Sequence, residues 1–226
     1  MRGWWSLTIA TAVLTVGLLV VLAVYRPSHP ATQPVSTSAL SDVLLSPEEA
    51  AHAVGANTMA GEQVQDRLTD TTIVDEDCAG MATPAQQKAY ENSGWTAVRS
   101  QELGDQPAIG WRLTQAAVSF PDARAANDFV ANAAASWQKC ANREINTRDV
   151  NKDDPRNIFW KTESASQSDG ILAMDMIQEA QGWNCQRSLS SRNNVVIDLD
   201  LCGRNAPGSV VAEYVTAVER KIDAHS

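Results

Sequence analysis

Trp183-Asn184-Cys185-Gln186-Arg187-Ser188-Leu189-Ser190-Ser191-Arg192-Asn193-Asn194-Val195-Val196-Ile197-Asp198-Leu199-Asp200-Leu201-Cys202 reads as a β-hairpin. Two runs with strand character flank Arg192-Asn193-Asn194, and asparagine tolerates the left-handed conformation that a tight hairpin turn demands. If Asn193 and Asn194 form a two-residue loop, Cys185 faces Cys202 and Arg187 faces Asp200. The cysteines then fall at a non-hydrogen-bonded pair, where the Cα atoms approach closely enough for a disulfide. A four-residue loop keeps the partners and changes the pair type. On the second strand Val195, Ile197, Leu199 and Leu201 share one face, while Val196, Asp198, Asp200 and Cys202 share the other. The first face is expected to be core and the second polar.

Working outward, residues 171–179 read as a strand with Leu172, Met174 and Met176 on one face, joined to the hairpin by Gln181-Gly182. Residues 143–150 and 157–163 read as further strands, and short turns between sequential strands give an antiparallel meander. Downstream, a helix from Pro207 or Ser209 to Asp223 carries the apolar stripe Val211, Val215, Val218 and Ile222, which must be buried. Upstream, Pro121-Asp122 opens a long helix in which Ala126, Phe129, Val130, Ala133, Trp137 and Cys140 recur at three- and four-residue spacing. Strands are expected over 95–103 and 110–120, and a short helix between Thr83-Pro84 and Asn92-Ser93-Gly94. Ser46 with Pro47 and Glu49 forms a capping box that starts a helix over 47–58. Residues 59–77 read as loop with a short strand near Thr72 to Val74. The fold class is α+β: a single domain, an antiparallel sheet with helices packed on it.

The amino-terminal part is different in kind. No charge interrupts residues 7–24, Trp4, Trp5 and Tyr25 bracket the run, and its length spans a hydrocarbon core of ~30 Å. The expectation is a short cytoplasmic tail (1–6), a transmembrane anchor (7–25), a Pro/Ser/Thr-rich linker (26–44) and an extracytoplasmic domain (45–226). The alternative for the first run is a cleaved signal peptide. Extended at ~3.1 Å per residue, the linker would hold the domain roughly 40 Å from the membrane. Without Arg2 and Arg26 the 18 basic residues become 16 against 27 acidic ones, a formal charge of −11. Such a domain should not seek nucleic acid or anionic headgroups.

Four cysteines in an oxidising exterior imply two disulfides. The hairpin register selects Cys185 with Cys202 and leaves Cys78 for Cys140; on the chain-entropy model these contribute ~3 and ~4 kcal/mol. No C-x-x-C knuckle and no D-x-D-x-D-G loop occurs, so neither a metal site nor a cofactor is expected. His52 is the only histidine in the domain body away from its end, which leaves no catalytic constellation and therefore no catalytic residue to name. For ligand binding the candidates are Trp183, Arg187, Asp198 and Asp200. Arg187 either forms an exposed cross-strand pair with Asp200 or, beside Trp183 and the disulfide, anchors an anionic group.

Several stretches together carry a family resemblance: Trp137-Gln138-Lys139-Cys140, Gly182-Trp183-Asn184-Cys185-Gln186-Arg187, Asn193-Asn194-Val195-Val196-Ile197-Asp198 and Cys202, with Cys78, residues 90–95 and residues 120–129. They resemble the extracellular sensor domain of mycobacterial PknH-type serine/threonine kinases over residues 45–225. The resemblance implies an α+β domain with two disulfides and a groove for an extracellular ligand. No Gly-rich phosphate loop or kinase catalytic-loop motif occurs in this chain. The expectation is a stand-alone, membrane-anchored sensor domain, single-pass in the cell membrane, that binds a small-molecule or envelope ligand and has no catalytic output. An extracytoplasmic hydrolase and an envelope structural or partner-binding protein are the alternatives.

Overall fold

The computed structural model describes residues 33–105, 110–153, 156–178, 180–204 and 208–226. In chain order, a 3-10 turn at Thr37–Ala39 leads into α1 (Leu40–Val43), α2 (Pro47–Val54) and β1 (Met59–Gly61). A second 3-10 turn, Glu76–Cys78, runs into α3 (Ala79–Ala82), then α4 (Gln87–Tyr90), β2 (Ala97–Asp105), β3 (Trp111–Ser119) and α5 (Ala123–Gln138). The remainder is β4 (Glu144–Asn146), β5 (Phe159–Thr162), β6 (Ser166–Ser168), β7 (Ile171–Gln178), β8 (Trp183–Arg192), β9 (Val195–Gly203) and α6 (Ser209–Ala224). The capping box at Ser46 forms as expected, but α2 stops at Val54, because Gly55 takes the left-handed conformation (φ 70°) that closes the helix. Asp122 caps α5 by accepting from the Ala125 amide at 2.9 Å.

The described strands form one antiparallel sheet in the order β1-β2-β3-β9-β8-β7-β5-β4, with β6 beside β7. The hairpin register is the expected one: Cys185 pairs with Cys202, Arg187 with Asp200 and Arg192 with Val195. The disulfides are Cys185–Cys202, with Cα atoms 3.9 Å apart, and Cys78–Cys140. The meander from β7 to β9 continues onto β3, so β9 is hydrogen-bonded along both edges.

Central placement buries both faces of β9, and here the expectation of a polar second face fails. Val195, Ile197, Leu199 and Leu201 pack under α1, α2 and α6, where Val211, Tyr214, Val215, Val218 and Ile222 supply the helix stripe. Each such side chain contributes about 1.5–3 kcal/mol on burial. On the other face Val196 and Cys202 belong to a second core under α5 and residues 78–90, and Asp198 is only 2% exposed. Helices therefore cover the sheet on two sides.

The expected linker is also corrected. Val35, Leu40, Val43 and Leu44 are buried, and the folded unit begins at Gln33 rather than at 45. The turn explains how this is achieved. Of the two turn residues only Asn193 takes the left-handed conformation (φ 53°), and the Asn194 side chain has another task. It accepts from the Val35 amide at 2.7 Å and donates to the carbonyls of Val35 (3.2 Å) and Phe120 (3.0 Å). The membrane segment expected at 7–25 lies outside the described residues. Among the described residues no helix is long and apolar enough to cross a membrane.

Candidate ligand groove

β8 alternates, so Cys185, Arg187 and Leu189 all point toward the α5 side of the sheet. Arg187 is 0% exposed. A guanidinium in such a place costs several kcal/mol unless its geometry and hydrogen bonds compensate. Here Nε donates to the Met81 carbonyl at 2.7 Å, Nη1 to the Leu199 carbonyl, and Nη2 to the Gly80 carbonyl at 3.3 Å and to Asp198 Oδ1 at 2.8 Å. The Trp137 ring lies 5.2 Å from its central carbon. Asp198 is satisfied from the other side: its Oδ2 accepts from the Ala85 amide at 2.7 Å and from the Tyr90 hydroxyl at 3.0 Å.

The expected Arg187–Asp200 ion pair is thus replaced by a diagonal one. Register sets Arg187 opposite Asp200, but only Asp198 lies where residues 80–90 can supply the remaining donors. Ala85 adopts φ 50°, a left-handed conformation that costs a non-glycine residue about 1–2 kcal/mol. That conformation accompanies the hydrogen bond that the Ala85 amide donates to Asp198. Burial, together with the Asp198 charge and hydrogen bond, drives the Tyr90 hydroxyl well above its ordinary pKa, so it remains a donor.

Residues 79–90, held down by this network, and α5 face each other across a groove of about 430 Å³, within the usual range for small-molecule sites. Met81, Ala89, Phe129, Ala133 and Trp137 line it, with Leu189 and Asp198 as lining from the sheet. Tyr90 stacks on Phe129 with centroids 4.3 Å apart. The Cys78–Cys140 disulfide ties the segment to the end of α5, and Cys140 itself lines the groove.

Of the four residues expected to bind ligand, Asp198 lines the groove and Arg187 lies behind it. Trp183 and Asp200 do not line it. Trp183 is buried beneath the guanidinium carbons of Arg204 (4.1 Å) and Arg112 (5.4 Å). Asp200 retains some exposed surface, but its Oδ1 is inaccessible and unpartnered among the described residues. Burial pushes its pKa up to about 6, against the opposing pull of Arg187 and Arg112. Two groups of cysteine and aspartate cluster tightly, Asp77 with Cys78 and Cys140 and Asp200 with Cys185 and Cys202, but the sulfurs are in disulfides and offer no thiolate to a metal. Tyr90, Met81 and Phe129 were not legible as groove residues: Phe129 reads as core on the α5 stripe, Tyr90 as part of a short helix, and Met81 falls between that helix and Cys78, in no expected element.

One antiparallel sheet between two helical layers, stapled by two disulfides, defines a single α+β domain. The chain belongs to the PknH-like extracellular domain family, whose family model matches residues 35–221. It is 31% identical over 225 residues to serine/threonine-protein kinase PknH of Mycobacterium bovis, covering 94% of this chain and 37% of the relative. It is 32% identical over 205 residues to PknH of Mycobacterium tuberculosis H37Rv, covering 87% of this chain and 32% of the relative. The chain therefore spans about a third of the length of these relatives. It is also similar to the crystal structure of the extracellular domain of PknH from M. tuberculosis, with a TM-score of 0.78 and 26% identity over 86% of this chain and 100% of that one.

Proposed function

We propose that this chain is a membrane-tethered, extracytoplasmic sensor-like domain that binds a ligand in the groove between residues 79–90 and α5, without catalytic output of its own. The supporting observation is the groove's construction. A buried, hydrogen-bonded Arg187–Asp198 pair fixes one wall to the sheet, and the part-buried Phe129, Ala89 and Ala133 face the groove. Such preorganisation lowers the ordering cost of binding. Family membership supports the extracytoplasmic reading, and the uncharged run at 7–24 supports the tether.

The test is mass spectrometry of small molecules released from the full chain purified out of its native envelope, beside an Ala133→Trp variant in which the groove is filled. A species retained by the native chain and absent from the variant supports the reading. Identical profiles refute it.

A second reading, docking of an envelope partner, is favoured by one observation: Ile158 and Phe159 are 38% and 47% exposed and line a separate hollow with Ile177. An exposed apolar surface of this kind can mark a protein contact.

A further inference from the structure

Only the carboxylate partner of the buried ion pair faces the groove: Asp198 lines it, and Arg187 does not. Three more carboxylates, Glu76, Asp77 and Glu91, line the same groove against one ammonium, Lys88. Lys88 is spent on Glu76 at 2.5 Å, and Asp77 is approached by Arg143, which does not line the groove and is shared with Asp75. Glu91 is exposed and has no ion-pair partner among the described residues. The space between these charges is apolar and aromatic, with Phe129 stacked on Tyr90. Low-dielectric walls focus the field of the carboxylates, and aromatic faces attract cations. An anionic head entering here would meet carboxylates of its own sign and no uncommitted cation.

From this juxtaposition we infer that the groove takes a cationic amphiphile. Its ammonium or guanidinium head lies among the exposed carboxylates Glu91, Glu76 and Asp77, and its apolar body lies along Phe129, Ala89 and Ala133. This rests on the groove reading above and adds the charge class of the ligand to it. Anionic lipids and fatty acids are excluded as preferred occupants by the same argument.

The test titrates the full chain with octyltrimethylammonium, octanoate and 1-octanol, each below its micellar concentration, by calorimetry and ligand-observed NMR. Octyltrimethylammonium is expected to bind about tenfold more tightly than octanoate, with 1-octanol between them and the gap narrowing as salt is added. Glu91→Lys, a change at an exposed position, should lower the affinity for the cation several-fold and leave 1-octanol unchanged. Ala133→Trp should abolish all three. Equal affinities, or a preference for octanoate, would overturn the charge inference while leaving the groove reading standing. Binding of none of the three, or binding indifferent to Ala133→Trp, would overturn the groove reading along with it.

Discussion

Arg187 Nη2 lies 2.8 Å from Asp198 Oδ1, and the two side chains are 0% and 3% exposed. The pair is the link between the hairpin and residues 80–90. Removing either partner leaves the other charge buried and uncompensated.

Asp198→Asn and Arg187→Met should therefore each cost about 3–5 kcal/mol, and the double variant should cost less than the sum of the two. Urea unfolding of the four members of the cycle measures this. Additive losses would mean that the two side chains act independently.

Asp200 gives the domain a pH dependence with a definite sign. Its folded pKa of about 6 lies above the ordinary carboxylate value of 3.8, so the folded state holds the proton more tightly than the unfolded chain. The contribution is fully present below the unfolded value and is lost as pH rises through about 6. Asp200→Asn should remove this loss, making the variant more stable than the native chain at pH 8 by at most about 3 kcal/mol and giving no such gain at pH 4. Unfolding curves across that range check it.

The two disulfides should separate in their effects. Non-reducing peptide maps are expected to join Cys78 to Cys140 and Cys185 to Cys202. Replacing Cys78 and Cys140 by serine should raise proteolysis and amide exchange first in residues 75–90. Replacing Cys185 and Cys202 should lower global stability by ~3 kcal/mol, because β8 and β9 lie in the middle of the sheet.

Asn194→Ala leaves the turn residue Asn193 in place and deletes three buried hydrogen bonds to Val35 and Phe120. A loss of about 1–3 kcal/mol is expected, with early cleavage of residues 33–45 in limited proteolysis. Asn193→Ala should act differently, straining the turn and leaving Val35 seated.

The hairpin was legible because asparagines, alternation and cysteine spacing agree, and the helices at Pro47 and Ala123 because Ser46 and Asp122 announce them. The covering of the second face of β9 was not. Asp198 and Asp200 alternate as an exposed strand would, and only a partner on the neighbouring strand plus donors from about a hundred residues upstream make burial affordable. Register places Arg187 across from Asp200, but the diagonal choice of Asp198 depends on Ala85 and Tyr90, which no local pattern connects to β9. The seating of Val35 was hidden for a similar reason: Asn194 looks like a turn residue, and its side chain instead bonds a segment rich in serine and threonine. Hence two of the four expected ligand residues belong to the groove's frame, and its walls come mostly from residues 76–93 and α5.

Hydrogen exchange on the full chain, with and without a small-molecule extract of the cell envelope, tests the proposal that this domain binds a ligand in the groove. Slowed exchange confined to residues 79–91 and 129–140, and lost in Ala133→Trp, is the expected result. Slowing confined to β4 and β5 around Phe159, or none at all, would contradict it.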